Sequence, residues 1–126
     1  MVKTMTVAAA MFAALTTVAL AAGPTTTVKT SKGTVLADSK GMTLYTFDKD
    51  ASGKSNCNGK CATNWPPLKA AANAKDSGKF SVVTRDDGGK QWAYEGKPLY
   101  TWIKDKKKGD TTGDGVNNNT WHVAKP

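Results

Sequence analysis

Two aspartate-rich loops carry the oxygen ligands that a calcium ion prefers. In the first loop, Asp48, Asp50 and Ser52 stand at the first, third and fifth positions, and a glycine follows them. This is the opening spacing of a calcium-binding loop. A second loop repeats the spacing with Asp110, Thr112, Asp114 and Gly115. Neither loop has the bidentate acid that completes such a site, and lysines lie close to both. We therefore expect no calcium site of high affinity, and a metal-binding module built on these loops is an alternative.

A ten-residue phrase occurs twice and supplies a candidate pair of catalytic carboxylates. Residues 41–50 return as residues 96–105 with six of the ten positions identical, so Asp50 and Asp105 are equivalent. If pseudo-symmetry brings these acids into one cleft, they have the chemistry of a glycoside hydrolase, which uses two carboxylates. Aspartate also commonly caps the turn that leaves a strand. We favour the capping interpretation and keep a hydrolase that uses both acids as an alternative.

His122 is the only histidine, which restricts the chemistry that it can perform. A zinc or copper site would need further ligands, and the sequence contains no cofactor motif, so no cofactor is expected. Four tryptophans and three tyrosines offer rings that can stack on a sugar, but aliphatic residues are few and the core needs most of these rings. The candidate ligand-binding residues are Tyr45, Asp50, Trp65, Tyr100, Asp105, Trp121 and His122.

The chain is basic, with a formal net charge of +8. Four of its lysines cluster at positions 104, 106, 107 and 108. Such a cluster attracts anionic polymers. In an exported protein the expected targets are anionic envelope polymers or lipid headgroups, and nucleic acid is not expected. The alternative is that these charges are simply solvated and keep the protein soluble.

The first residues have the pattern of a secretory signal peptide. Lys3 precedes an uncharged apolar stretch, and Ala19-Leu20-Ala21 is a cleavage signal. The stretch is too short and too rich in threonine to be a good membrane span. The sequence therefore predicts a signal peptide over residues 1–21 and export to the periplasm or the extracellular space. No cysteine lies near the cleavage site, so lipid anchoring is not expected. No transmembrane span is expected once the signal peptide is removed.

Cys57 and Cys61 are the only cysteines. In an oxidising compartment two such residues are expected to form a disulfide. Closing a five-residue loop contributes about 2 kcal/mol in the chain-entropy model. The C-x-x-x-C spacing favours a structural bond over a redox-active C-x-x-C pair.

Short runs of β-branched and aromatic residues between glycine-rich turns predict an all-β fold. Strands are expected at residues 27–30, 34–37, 42–47, 80–84, 90–94, 98–103 and 120–124, with a helical turn at 61–65 and a short helix or surface loop at 69–79. The repeated phrase indicates two related antiparallel β-meander repeats. They are expected to form one small sandwich- or barrel-like domain with one disulfide. The predicted boundaries are a polar lead-in over 22–33 and a domain over 34–126, whose repeats cover about 34–79 and 80–126.

These motifs resemble a family of secreted repeats of unknown function, predicted lipoproteins with a Y-x-[FWY]-x-x-D motif. The motif stands here at residues 45–50 and 100–105, and residues 55–62, 65–68 and 121–126 are similar to the family as well. The resemblance implies export and a repeated β-fold, and it implies no catalytic residue. Many relatives carry a lipid-anchor cysteine that this chain lacks. We therefore expect an exported cell-envelope protein that is not an enzyme and acts as a binding or structural module.

Overall fold

Residues 23–126, the part of the chain that the computed structural model describes, contain seven short strands and two helical segments. The predicted signal peptide, residues 1–21, lies outside the described residues. The strands are β1 Thr26–Thr30, β2 Gly33–Ala37, β3 Tyr45–Phe47, β4 Phe80–Thr84, β5 Lys90–Tyr94, β6 Lys97–Pro98 and β7 Trp121–Val123. The helical segments are α1 Lys60–Asn64 and α2 Val116–Asn119. Both of these described segments are far shorter than a membrane-spanning helix.

Three small antiparallel sheets confirm the predicted all-β fold of two related repeats. β1 pairs with β2, β3 pairs with β7, and β5 lies between β4 and β6. The hairpin of β1 and β2 has the same place in the first half of the chain that the hairpin of β4 and β5 has in the second. Each hairpin turn contains a glycine with positive φ, Gly33 at 96° and Gly88 at 89°, a conformation that glycine adopts without steric cost.

The two repeats are joined because a segment of each pairs with a segment of the other. β3, in the first repeat, pairs with β7, in the second. In the opposite sense, Tyr100 of the second repeat bridges Pro67 of the first. Tyr45 and Tyr100 also bridge each other, and their backbone N–H and C=O groups exchange hydrogen bonds of 2.8 and 3.0 Å. The equivalent tyrosines therefore meet at the pseudo-two-fold axis that relates the repeats.

Three strands are shorter than the sequence pattern indicated, including β7, which covers Trp121–Val123 of the expected 120–124. Of residues 42–47, only Tyr45–Phe47 form a strand, because the Asp38 side chain accepts hydrogen bonds of 2.9 Å from two backbone N–H groups and holds the preceding segment in a turn. Of residues 98–103, only Pro98 belongs to a strand, β6. Beyond it, Tyr100 forms single bridges and no regular pairing. The prolines in and opposite this segment have no N–H to donate, which explains why regular pairing stops.

The helical segments differ in how well the sequence indicates them. α1 lies where a helical turn was predicted, just before Pro66. Residues 69–79 form a loop and not a helix. α2 was not predicted, since it falls in a segment interpreted as a long loop. Asn117 and Asn118 in it have positive φ, 57° and 59°, a left-handed conformation that asparagine tolerates better than most residues.

The buried residues form two clusters. One is aliphatic and contains Leu44 and Leu99, which are repeat equivalents and completely buried. The other is mainly aromatic and includes the half of the disulfide that is fully buried, Cys57. The Cys57–Cys61 bond itself confirms the predicted disulfide. The second cluster contains most of the candidate ligand-binding residues, so it determines what those residues can do.

Candidate functional site

The motif tyrosines and aspartates pair across the two repeats. Tyr45 Oη donates a hydrogen bond of 2.6 Å to Oδ2 of Asp105, and Tyr100 Oη donates one of 2.7 Å to Oδ2 of Asp50. Both tyrosines are completely buried. Each repeat thus supplies the phenol that holds the acid of the other, and these four candidate residues tie the two repeats together.

Asp105 is the more enclosed of the two acids. It is 6% exposed, and its Oδ1 accepts hydrogen bonds of 2.9 and 2.6 Å from the backbone N–H and the hydroxyl of Thr112. The N–H of Gly113 donates to Tyr45 Oη at 3.2 Å. Burial, and then the bond to Asp105, raise the pKa of Tyr45 far above its ordinary value. The phenol therefore remains a protonated donor, and both carboxylate oxygens are occupied.

Asp50 lies closer to solvent and has fewer partners. Its Oδ1 accepts a hydrogen bond of 2.7 Å from the backbone N–H of Asn56. Its phenol partner, Tyr100, also lies 2.6 Å from the hydroxyl of Ser55. Burial raises the pKa of Asp50 despite the hydrogen bonds from Asn56 and Tyr100, which act in the opposite direction. Burial likewise raises the pKa of Tyr100.

Arg85, the single arginine of the chain, extends the network around Asp50. It is 4% exposed, and its Nη1 donates to Ser55 Oγ at 3.0 Å and to Gln91 Oε1 at 2.8 Å. Its Nη2 donates to the carbonyl of Cys57 at 2.7 Å. The guanidinium therefore connects the β4–β5 hairpin to the disulfide loop. Its Nε has no hydrogen-bond partner, and the nearest acid, Asp87, is 3.7 Å away.

Four aromatic rings form a continuous stack in the core. Trp65 and Trp121 lie at its centre with ring centroids 3.7 Å apart and planes 1° from parallel. Phe47 stacks on Trp121 at 4.2 Å, and Trp102 stacks on Trp65 at 4.0 Å. The order repeats the pseudo-symmetry, because Phe47 and Trp102 are equivalent positions of the repeated phrase. The two central rings are at most 2% exposed, so in this structure they pack the core and offer no surface to a ligand.

His122 and Asp48 are candidate residues that pair at the surface. His122 Nε2 is 2.9 Å from Asp48 Oδ2. Two adjoining hollows of about 240 and 290 Å³ share Asp48 and Lys97 in their linings. Asp50 lines the first hollow and His122 the second. Of the seven candidate ligand-binding residues, Asp50 and His122 line these two hollows.

The side chains of the aspartate-rich loops bind the protein itself. Asp48 contacts His122, and Asp50 accepts a hydrogen bond from Tyr100. Ser52 is exposed and lines the first hollow. Asp110 Oδ2 accepts two backbone hydrogen bonds, which lower its pKa. Asp114 accepts one from Val123 at 3.0 Å. Among residues 23–126, no group of three or more histidine, cysteine, aspartate or glutamate side chains is arranged to hold a metal ion.

The lysine cluster occupies a loop that we call the basic loop, residues 102–110. Lys104, Lys106, Lys107 and Lys108 are all exposed. Among the described residues, none of the four forms an ion pair. Asp105 lies between them in the sequence, but it turns inward to its buried partners and leaves the positive charge outside. The loop is thus a concentrated patch of unpaired positive charge.

A family model describes the architecture just derived. The model for a secreted repeat of unknown function matches the chain twice, over residues 26–69 and 81–125. The chain belongs to this family. Each match covers one hairpin, one of the two motif tyrosines, Tyr45 or Tyr100, and one of the two central tryptophans of the stack, Trp65 or Trp121. The repeat seen in the structure is therefore the repeat that defines the family. The family description supports export of the protein. No curated protein and no solved structure matches the chain.

The network of this secreted repeat includes residues that sequence reasoning missed. Arg85 and Gln91 were not selected as candidates, yet both are buried and polar. Gln91 Nε2 donates to the carbonyl of Leu99 at 2.7 Å, which fixes the strand that leads into the second tyrosine. The composition could have revealed Arg85. When 17 of the 18 basic residues are lysines, the single arginine indicates a place where a planar guanidinium is needed.

Proposed function

We propose that this secreted repeat is a non-catalytic module of the cell envelope that binds phosphate or carboxylate groups through its basic loop. The observation that carries the proposal is the placement of four exposed, unpaired lysines within five consecutive positions. Unpaired surface charge of one sign steers anionic partners and increases their rate of association. Three of the four, Lys106, Lys107 and Lys108, have no lysine at the equivalent position of the first repeat, so the architecture that both repeats share does not require them.

The use of the acidic residues supports a non-catalytic role. A glycoside hydrolase needs one carboxyl group that protonates the leaving group and a second that reaches the sugar or a water. Asp105 is enclosed, and both of its oxygens accept hydrogen bonds from the protein. Asp50 is likewise bonded at both oxygens. Asp105 is thus closed off from a substrate, and proton transfer by Asp50 would compete with its hydrogen bonds to Asn56 and Tyr100.

Binding to soluble anionic polymers tests the proposal. The probes are polyphosphate and polyglutamate, and the test variant replaces Lys104, Lys106, Lys107 and Lys108 with glutamine. A matched control replaces four other exposed lysines, at positions 29, 49, 69 and 75, and therefore removes the same net charge. We expect the test variant to lose most of its affinity while the control retains it. Binding should weaken steeply with added salt, because the Debye length is only about 8 Å at physiological ionic strength.

Two results would overturn the proposal. Equal losses in the test variant and the control would mean that only net charge matters and that the basic loop has no special part. Turnover of a glycan that disappears in both Asp50→Asn and Asp105→Asn, with the variants still folded, would establish a carboxylate hydrolase instead.

A further inference from the structure

The basic loop also carries an exposed apolar side chain. Ile103 is 43% exposed and is the only large hydrophobic residue with an exposed side chain among the described residues. It is followed directly by Lys104 and preceded by Trp102, which is partly buried. A single exposed aliphatic residue is ordinary on a protein surface. Here, however, it coincides with the one dense cluster of unpaired lysines in the described part of the chain.

The loop is held in a fixed shape that presents both features together. The backbone N–H of Ile103 donates to the carbonyl of Asn64 at 3.1 Å. Further along, the N–H groups of Lys106 and Lys107 donate to Asp110 Oδ2 at 2.8 and 3.1 Å. At the far end of the loop, the hydroxyl of Thr43 donates to the carbonyl of Asp110 at 2.7 Å. The loop is therefore anchored to the body of the protein at both ends, and little ordering is required when it meets a surface.

Two of the four lysine side chains lie close to the body of the protein, Lys104 through its ammonium group and Lys108 through its aliphatic stem. Lys104 Nζ lies 5.9 Å from the ring centroid of Trp102. The aliphatic stem of Lys108 lies against Gly41, where an added Cβ would come within 3.0 Å of it. A long basic side chain that lays its stem along the protein and stays exposed to solvent, as Lys108 does, is favoured at membrane interfaces.

The other repeat supplies an internal comparison. Asp48 is the equivalent of Ile103, and the backbone N–H of Asp48 makes the equivalent hydrogen bond, to the carbonyl of Thr120 at 2.8 Å. The backbone is thus alike at the two positions while the side chains are opposite in character. An acid paired with His122 follows Phe47 at one end of the aromatic stack, and an exposed isoleucine among lysines follows Trp102 at the other end.

We propose that the basic loop docks on an anionic lipid bilayer, with Ile103 inserted among the headgroups and the four lysines bound to lipid phosphates. The inference rests on the proposed function and specifies its partner. A soluble polymer offers charge to the lysines and nothing to the isoleucine. A bilayer offers both charge and an apolar layer just beneath it, so it is the partner that uses the whole loop.

The expected effects follow from the two kinds of contact. Each lysine near an anionic membrane surface changes the affinity by roughly fivefold, so removing all four should weaken binding by roughly two to three orders of magnitude. Replacing Ile103 with serine should weaken vesicle binding by about tenfold, since an apolar side chain is no longer buried. The same replacement should leave the affinity for polyphosphate unchanged.

Vesicle co-sedimentation measures these changes. Vesicles of phosphatidylglycerol mixed with phosphatidylcholine are compared with pure phosphatidylcholine, and Ile103→Ser is compared with the lysine variants already described. The inference is supported if Ile103→Ser loses affinity for the anionic vesicles only. It is overturned if Ile103→Ser binds vesicles as the unaltered protein does, or if the unaltered protein binds polyphosphate but not vesicles. In both of these outcomes the proposed function survives, whereas failure to bind any anionic probe would overturn both.

A fluorescent label at the loop gives an independent readout. Ile103→Cys adds the only free thiol among the described residues, because Cys57 and Cys61 are bonded to each other. An environment-sensitive dye at this position should shift to the blue and be protected from iodide when anionic vesicles are added. The same dye on Ser31→Cys, in the exposed β1–β2 turn, should not respond. An equal response at both positions would overturn insertion of the loop.

Discussion

Replacing Asp105 should destabilise the protein much more than replacing Asp50, although the two are equivalent in the repeat. Asp105 is 6% exposed, and the Asp105→Ala change leaves three donors without an acceptor: the Tyr45 hydroxyl and both groups of Thr112. A hydrogen bond to a charged group contributes about 1.5 to 3 kcal/mol. Thr112 can form hydrogen bonds with water instead, and contributions within one network are not additive. We therefore expect Asp105→Ala to lower the free energy of unfolding by about 3 to 5 kcal/mol.

The expected cost of Asp50→Ala is smaller for reasons visible in its surroundings. Asn56 is exposed and can bind water instead, and the Tyr100 hydroxyl keeps Ser55 as a partner. We expect Asp50→Ala to lower the free energy of unfolding by about 1 to 2 kcal/mol. A difference of this size is large relative to the total stability of a small domain, which is about 5 to 15 kcal/mol.

Urea unfolding measures the difference. Tryptophan fluorescence and far-ultraviolet circular dichroism report the core and the sheets, and Asp105→Asn serves as a control that keeps the shape and one acceptor. A double-mutant cycle with Tyr45→Phe isolates the coupling between the hydroxyl and the acid. Equal costs for Asp50→Ala and Asp105→Ala, or no coupling between Tyr45 and Asp105, would refute the structural role that we assign to the exchanged pairs.

Three further predictions concern the same core. The native state keeps the protons of Tyr45 and Tyr100, which the unfolded chain releases above about pH 10. The unfolding free energy should therefore fall above that pH by about 1.4 kcal/mol per pH unit for each tyrosine, and either Tyr→Phe variant should flatten the decline in urea midpoint with pH. Gly113→Ala should destabilise by about 1 to 3 kcal/mol, because the new Cβ would lie 2.7 Å from the Trp65 ring. Gly89→Ala is the control in the same thermal melts, because its Cβ would come close only to the exposed Asp87 carboxylate, at 3.1 Å, and would make an ordinary contact of 3.9 Å with Arg85. Replacing both cysteines of the disulfide with alanine should cost about 2 kcal/mol, and an unchanged urea midpoint would contradict a stabilising role.

The repeated phrase made the architecture predictable. Residues 41–50 and 96–105 are similar enough to indicate duplication, and the alternation of apolar residues identified most strands. Strand lengths were overestimated where a proline or a side-chain turn interrupts pairing, because period-two patterns do not report which backbone groups find a partner. The disulfide followed from the number of cysteines and the predicted compartment.

The sequence did not predict that the motif tyrosines and aspartates pair between the repeats. The phrase shows that Tyr45 and Asp50 belong to one repeat, and proximity along the chain suggests that they act together. The structure pairs each instead with a residue about 50 to 60 positions away, Asp105 or Tyr100. No local pattern distinguishes contacts within a repeat from contacts between repeats, since the two arrangements bury the same residue types. The aromatic stack was missed for the same reason.

Comparison of the two repeats indicates where a function can reside. Tyr45 and Tyr100 match, as do the aspartates that follow them, and these matched residues form the contacts that join the repeats. A residue needed at both ends of a pseudo-symmetric interface is constrained by that interface, so its presence is explained without a ligand. Asp48 and Ile103 are not constrained in this way, because their backbones make the same hydrogen bond while their side chains differ. The residues that differ between equivalent positions of the two repeats, and not those that the repeats share, are therefore the ones available for binding a partner.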